Sequence, residues 1–329
     1  MTIEVRPLVF KPQYLNGLTE KLVVSHYENN YGGALRRLNA IDARIRTLDW
    51  ATAPVFELNG LKREELIAAG SVILHELYFD GLGGRGGDPP SGLGLAEALE
   101  RDFGTVTAWK AEFTAIAKAQ AGGSGWTTLV WSDRMGRLIN QWSADHAHTL
   151  ASSAPILALD MYEHAYHLDF ATRAAAYVDA FMDNLHWERI ASRYRQVRHG
   201  EAAEAALFRP VGSPSQIDML ISAEALRSNM NGDPPVLLDV CLKVDLPRRR
   251  DMLPGARMHN PDAIDRWVEA LPRDKSVVVY CIFGFQISGN AVAELRRRGY
   301  DARALKGGIG AWHAIGGPTV ALDQSTYES

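Results

Sequence analysis

The stretch "RHGEAAEAALFRPVGSPSQ", residues 198–216, separates two parts of the chain whose hydrophobic rhythms belong to different kinds of fold. It is polar and alanine-rich, then rich in Pro, Gly and Ser, so it reads as a linker. Before it, apolar residues recur at spacings of three and four in "LTEKLVVSHYENNYGGALRRLNAI", "REELIAAGSVILHELYF" and "LAEALERDFGTVTAWKAEFTAIAKA", which predicts antiparallel helices. After "GGSG" come three strand patterns, "WTTLVWSD", "RLINQWSAD" and "PILALD", the first two joined by a turn at Arg134, Met135 and Gly136. A small antiparallel sheet is expected, with helices again over about 162–194. Beyond the linker, short apolar strands alternate with helices: "PVLLDVC", "NPDAIDRWVEALP", "SVVVYC", "SGNAVAELRRRGY", "ARALKGG" and "IGAWHAIGG". That alternation implies a parallel α/β sheet. The chain is therefore expected to hold an α+β domain over residues 1–197, the linker 198–216, and an α/β parallel-sheet domain over 217–329. A length of 329 residues suits two domains.

The formal net charge of -4 argues against a nucleic-acid or anionic-membrane partner, because such proteins usually carry a basic excess. A small diffusible substrate fits better. The start, "MTIEVRPLVFKPQYLNG", lacks the charged beginning and continuous apolar run of a signal peptide, and no window approaches eighteen apolar residues. A soluble cytoplasmic protein with no membrane partner is expected. The only cysteines, Cys241 and Cys281, are too few for a disulfide framework or a cysteine-rich zinc site. Any metal must be held by histidine and carboxylate.

"LALDMYEHAYHLDF" supplies such groups. Asp160 closes a strand pattern and His164 follows four residues on, so a helical turn from Met161 would point both inward. Taken alone, the two form either a hydrogen-bonded pair or half of a metal site. His26 in "LVVSHYENNYGG" and His75 in "GSVILHELYF" each lie on an apolar helix face, and their convergence with Asp160 and His164 would give three imidazoles and a carboxylate.

These motifs carry a resemblance. "LDMYEHAY", "ERDFGTVTAWKAEFTAIAKAQAGGSGWTTLV" and "FMDNLHWERIASRY" resemble, in order, the DxWEHAY signature, the central helix with its glycine-tryptophan turn, and the closing helix of the iron/manganese superoxide dismutase family. The resemblance implies that family's fold, a helical hairpin followed by a mixed α/β part, and one iron or manganese ion per subunit held by His26, His75, Asp160 and His164. It also implies conversion of superoxide to dioxygen and hydrogen peroxide as the metal cycles between its +2 and +3 states. The family's gate, a histidine four and a tyrosine eight residues after the first ligand, is replaced here by Asn30 and Ala34, with Tyr31 nearby as a candidate catalytic residue. His146 falls in place of the glutamine that hydrogen-bonds the metal's solvent, and Tyr162 replaces a tryptophan of the signature. Glu163 resembles the family's residue that crosses a dimer interface to the partner's ligand histidine, which implies a homodimer built through Glu163 and His164. His167 and Asn30 meet across the same interface by that analogy.

In "SVVVYCIFGFQISGNAVAELRRRGY", Cys281 ends a buried strand just before a helix, so the backbone amides of Ile282 to Ile287 would curl around its sulfur and lower its pKa. With "LLDVC", "LPGARMHNP" and "LKGGIGAWHAIGGP", this region resembles the rhodanese-like domain. The arginine that family usually carries five residues after the cysteine is Gln286 here, and the arginine of its DVR is Cys241. The runs Arg248–Arg250 and Arg296–Arg298 read as solvated faces. Residues and resemblance together point to a superoxide dismutase with an accessory thiol, persulfide or docking domain. Two other readings fit the same residues: a catalytically weak metal or redox sensor signalling through its cysteines, and a sulfurtransferase with the metal domain as scaffold.

Overall fold

The computed structural model describes residues 2–200 and 219–322, so the expected linker lies outside the described residues from 201 on. The chain divides into two compact units, Leu8–Leu207 and Phe208–Ser329, the second joined by Met1–Pro7.

In the first unit, α1 (Glu20–Ser25) starts where Thr19 accepts the Leu22 amide on its hydroxyl, an N-cap interaction that satisfies a first-turn donor. The helix loosens into one π-helical stretch, His26–Tyr31, and resumes as α2 (Gly32–Arg46). Then follow α3 (Val55–Gly81), α4 (Leu95–Phe103) and α5 (Val106–Ala119). The sheet comprises β1 (Trp126–Ser132), β2 (Arg137–Ser143) and β3 (Ser153–Asp160), antiparallel in the order β2-β1-β3. Every residue of β1 is buried, as a central strand covered on both faces requires. Its register sets Trp126 between Ser143 and Asp160, which delivers Asp160 beside an indole at the sheet's end. A 3-10 turn (Glu163–Ala165) and α6 (His167–Phe170), α7 (Ala174–Met182) and α8 (Trp187–His199) complete the unit. Trp109, Phe113, Tyr78, Tyr177 and Phe181 fill its core.

The second unit contains β4 (Leu220–Ile221), α9 (Ala223–Asn229), β5 (Val236–Asp239), β6 (Asp251–Met252), β7 (Arg257–Met258), α10 (Ile264–Trp267), β8 (Val277–Tyr280), α11 (Gln286–Arg297), β9 (Ala302–Leu305), α12 (Gly308–Ala314) and β10 (Val320–Ala321). Five of these strands form one all-parallel sheet in the order β4-β9-β8-β5-β7. The Val5 amide donates to the Glu224 carboxylate at 2.8 Å, tying the N-terminal segment to α9.

Both expected fold classes are present, with local differences. The helix expected over "NPDAIDRWVEALP" is broken into a 3-10 turn, the single turn of α10 and a second 3-10 turn. The strand "PVLLDVC" stops at Asp239, because that carboxylate accepts the Cys241 amide at 3.1 Å and turns the chain out of the ladder. Arg249 is not on a solvated face: its side chain is 4 % exposed and ion-paired with the fully buried Asp239, a carboxylate that needs a cation if it is to stay charged away from water. Among the described residues no helix is long and apolar enough to cross a membrane.

Candidate metal centre

Four elements bring His26, His75, Asp160 and His164 together. His26 opens the π-helical stretch, His75 lies on α3, Asp160 ends β3, and His164 sits on the 3-10 turn that follows. Their ligand atoms all lie within 4.8 Å of one another. The Nε2 atoms of His26 and His164 are each 3.1 Å from Asp160 Oδ2, and that of His75 is 3.5 Å from the same oxygen. His26, His75 and Asp160 are buried, while the His164 side chain is 27 % exposed.

The protonation states follow from the partners. His75 Nδ1 lies 2.7 Å from the Ser71 carbonyl, and since a carbonyl only accepts, Nδ1 carries the hydrogen. Nε2 of neutral His75 is then a bare lone pair, buried, without a hydrogen-bond partner, and it faces a carboxylate oxygen that is also an acceptor. Burial and the neighbouring His26 push the His75 pKa down to about 3, so the ring does not resolve the conflict by protonating. Burial likewise lowers His26. Burial opposes the charge on Asp160, yet hydrogen bonds from His164 and His26 hold it well below the usual carboxylate range. Two facing lone pairs in a dry site are what a cation would bridge, and a donor set of three neutral imidazoles and one carboxylate suits iron or manganese. Asp160 is fixed by its partners: Oδ1 accepts the Tyr162 amide at 2.8 Å, and its carbonyl accepts the Tyr177 hydroxyl at 2.9 Å.

His146 stands beside this cluster, its ring 6.1 Å from that of His75. Trp126 Nε1 donates to His146 Nδ1 at 2.9 Å. An indole N–H can only donate, so neutral His146 carries its hydrogen on Nε2. Burial keeps the ring neutral by lowering its pKa. Tyr162 stacks on His146 at 4.8 Å and 10° and on His164 at 5.4 Å and 18°, and so lies between the two imidazoles. The approach of this loop depends on Gly70 of α3, where a Cβ would fall 2.0 Å from the His146 carbonyl oxygen. Neither Trp126 nor Gly70 stood out as a site residue in the sequence, although "GSGWTTLV" contains the indole.

Tyr31 is buried, its hydroxyl donating to Glu76 Oε1 at 3.0 Å and its ring 6.5 Å from that of His75. It follows His26 by five residues, the spacing of a π-helical hydrogen bond, and both rings lie beside that of His75. Asn30 and Ala34 are half-buried, whereas Glu163 and His167 are exposed.

In the second unit Cys281 directly follows β8 and is buried. Its carbonyl accepts the Ile309 amide at 3.0 Å and its Sγ lies 3.4 Å from Ser288 Oγ. Cys241, also buried, accepts a hydrogen bond on Sγ from Arg249 Nη1 at 3.0 Å.

Residues 90–193 match the family described as "Iron/manganese superoxide dismutases, C-terminal domain", and residues 222–315 match "Rhodanese-like domain". A protein of Cupriavidus metallidurans named superoxide dismutase [Fe] is 62% identical over 194 residues, which are 59% of this chain and 97% of that protein. A superoxide dismutase [Fe] of Aquifex aeolicus is 32% identical over 192 residues, covering 56% of this chain and 88% of its own. One of Haloferax volcanii, named superoxide dismutase [Mn] 2, is 32% identical over 198 residues, 60% of this chain and 97% of that protein.

Proposed function

The chain belongs to the iron/manganese superoxide dismutase family, and from that membership we propose that its first unit disproportionates superoxide at one iron or manganese ion held by His26, His75, Asp160 and His164. The observation that carries the ligand assignment is the bare, buried Nε2 of His75 facing Asp160 Oδ2. Bound there, the ion supplies one-electron exchange in both directions, so that one superoxide leaves as dioxygen and the next, with two protons, as hydrogen peroxide.

The rest falls to the chain's own side chains. Ser71 fixes the His75 tautomer, and Tyr177 and the Tyr162 amide hold Asp160 in place. His146 presents an Nε2–H donor whose direction is set by Trp126 and by the stack on Tyr162. Tyr31 closes the inner end of the π-helical stretch over His75. The proposed homodimer through Glu163 and His164 is supported by the exposure of Glu163 beside a ligand that is itself part-exposed. The second unit is a rhodanese-like domain. Domain bounds of 1–197 and 217–329 remain the proposed division, with residues 2–7 packing on the second unit. A cytoplasmic location is proposed on cysteine usage, two cysteines being too few for the disulfide framework of a secreted domain.

The test is metal content and superoxide decay on the same purified full chain. One iron or manganese per chain with catalytic decay supports the reading. Stoichiometric metal without decay favours the sensor instead. Replacement of His146 by alanine is expected to keep the metal and slow decay by roughly 10–100-fold, the usual cost of losing a partner just outside the ligands. Trp126→Phe removes the N–H together with part of a fully buried ring, and should slow decay in the same direction. Unchanged rates in both variants would reduce His146 to a packing residue.

A further inference from the structure

We propose that Cys241 and Cys281 form a peroxide-responsive dithiol in the second unit, in which Cys281 is oxidised first and Cys241 resolves it as a disulfide within the chain. The two residues follow the ends of neighbouring parallel strands. Asp239 of β5 pairs with Tyr280 of β8, and the Val240 amide donates to the Tyr280 carbonyl at 2.9 Å. Continuing that register sets Val240 against Cys281 and leaves Cys241 one position further on. Were the strands to continue regularly, a spacing of about 4.8 Å and a rise of about 3.3 Å per residue would set the two Cα atoms roughly 6 Å apart. Disulfides usually span about 4.4–6.8 Å between Cα atoms. In a regular strand the one-residue offset would send the side chains to opposite faces. Here the Asp239 carboxylate takes the Cys241 amide, and the chain leaves the strand before that alternation applies.

The two thiols have unequal surroundings, and this sets their order. Cys241 is fully buried, and burial together with Asp239 pushes its thiol pKa up, so it stays protonated and unreactive on its own. Cys281 opens the loop into α11 and is in contact with the Ser288 hydroxyl. Arg249 donates to the Cys241 sulfur while its guanidinium is fixed by Asp239 and by the Asp251 carbonyl at 2.7 Å, so a cation stands ready when that sulfur gives up its proton. Because Cys241 stands where the resemblance has an arginine, Arg249 returns the positive charge to this corner and leaves the thiol free for chemistry.

The oxidant is hydrogen peroxide. The Cys281 sulfur attacks one peroxide oxygen, the O–O bond breaks, and sulfenic acid and one water result. The Cys241 sulfur then attacks that sulfur, its proton leaves with the hydroxyl as a second water, and the S–S bond forms. The dithiol loses two electrons and two protons, and peroxide is reduced to two waters. In the cell this source of peroxide rests on the dismutase reading, since peroxide is the product of that reaction.

The experiment titrates the metal-loaded full chain with hydrogen peroxide, blocks remaining thiols by alkylation and maps peptides without reduction. The expected result is loss of both free thiols together, a single Cys241–Cys281 linked peptide, and full return of the thiols with dithiothreitol. In Cys241→Ser the same treatment should carry Cys281 on to sulfinic acid. Cys281 left reduced, Cys281 overoxidised while Cys241 remains a thiol in the unsubstituted chain, or linkage only between chains would each overturn the proposal. Because the peroxide is added directly, this outcome does not depend on the dismutase reading, which metal content and superoxide decay test separately.

Discussion

His75→Ala is expected to purify with no stoichiometric iron or manganese and with superoxide decay at the background rate. The variant removes one of four proposed donors, and His146, the imidazole beside it outside the set, has its Nδ1 lone pair taken by the Trp126 N–H. Losing a residue just outside the ligands usually costs about 10–100-fold, so loss of a ligand should exceed roughly 100-fold. His199→Ala is the matched control: its histidine is exposed at the end of α8, outside the cluster, and it should keep both metal and rate. Metal analysis and superoxide decay on both variants check the claim. Near-full occupancy in His75→Ala would remove that residue from the ligand set.

That expectation was legible in the sequence because its carriers stand out from their background. A histidine in "SVILHELYF" or "LVVSHYENN" interrupts an apolar helix face, and a chain rarely buries an imidazole without giving it something to bind. Asp160 and His164 are four residues apart, and their local motif is dense. What stayed hidden depends on partners distant in sequence. Trp126 and His146 are twenty residues apart, and nothing in either segment shows that an indole donor sets an imidazole tautomer. Gly70 reads as an ordinary weak point in a helix until the His146 carbonyl is seen where its Cβ would be. The π-helical stretch has no compositional mark, so the five-residue step from His26 to Tyr31 has no obvious meaning while a period of 3.6 is assumed.

The second unit shows the same division. Its alternation of strand and helix announces a parallel sheet, because apolar runs of four residues between helical patterns have few other uses. Three consecutive arginines, however, look like a solvated face whichever of them is buried. Arg249 is selected by Asp239, ten residues earlier, and only the turn between β5 and β6 brings the pair together. A buried carboxylate is visible in the sequence as a charge inside "LLDVC", but its partner is not.

Acid is expected to destabilise the metal-free first unit well before carboxylates of ordinary pKa protonate. His75 titrates near its usual 6.5 in the unfolded chain and, through burial and the charge of His26, at about 3 in the folded one. Between those values the unfolded state binds a proton that the folded state refuses, so the stability held above pH 6.5 is lost as pH falls toward 3. His26 is lowered too, chiefly by burial, and adds in the same direction. Asp160 follows: its folded value lies far below 3.8, so a further loss begins as the unfolded carboxyl takes its proton. For His75 alone the loss between about pH 6.5 and pH 4.5 is roughly 2–3 kcal/mol. Metal should move the transition to lower pH, because an ion and protons compete for the same imidazole nitrogens and only the folded chain assembles the site. Urea unfolding of the metal-free full chain at a series of pH values, followed by circular dichroism and compared with His75→Ala, measures the effect. The parent should lose stability steeply over that window and the variant less so. A parent whose midpoint is flat from about pH 6.5 to 4.5 would mean that the cluster is already protonated when folded, and the bare Nε2 on which the metal assignment rests would not exist.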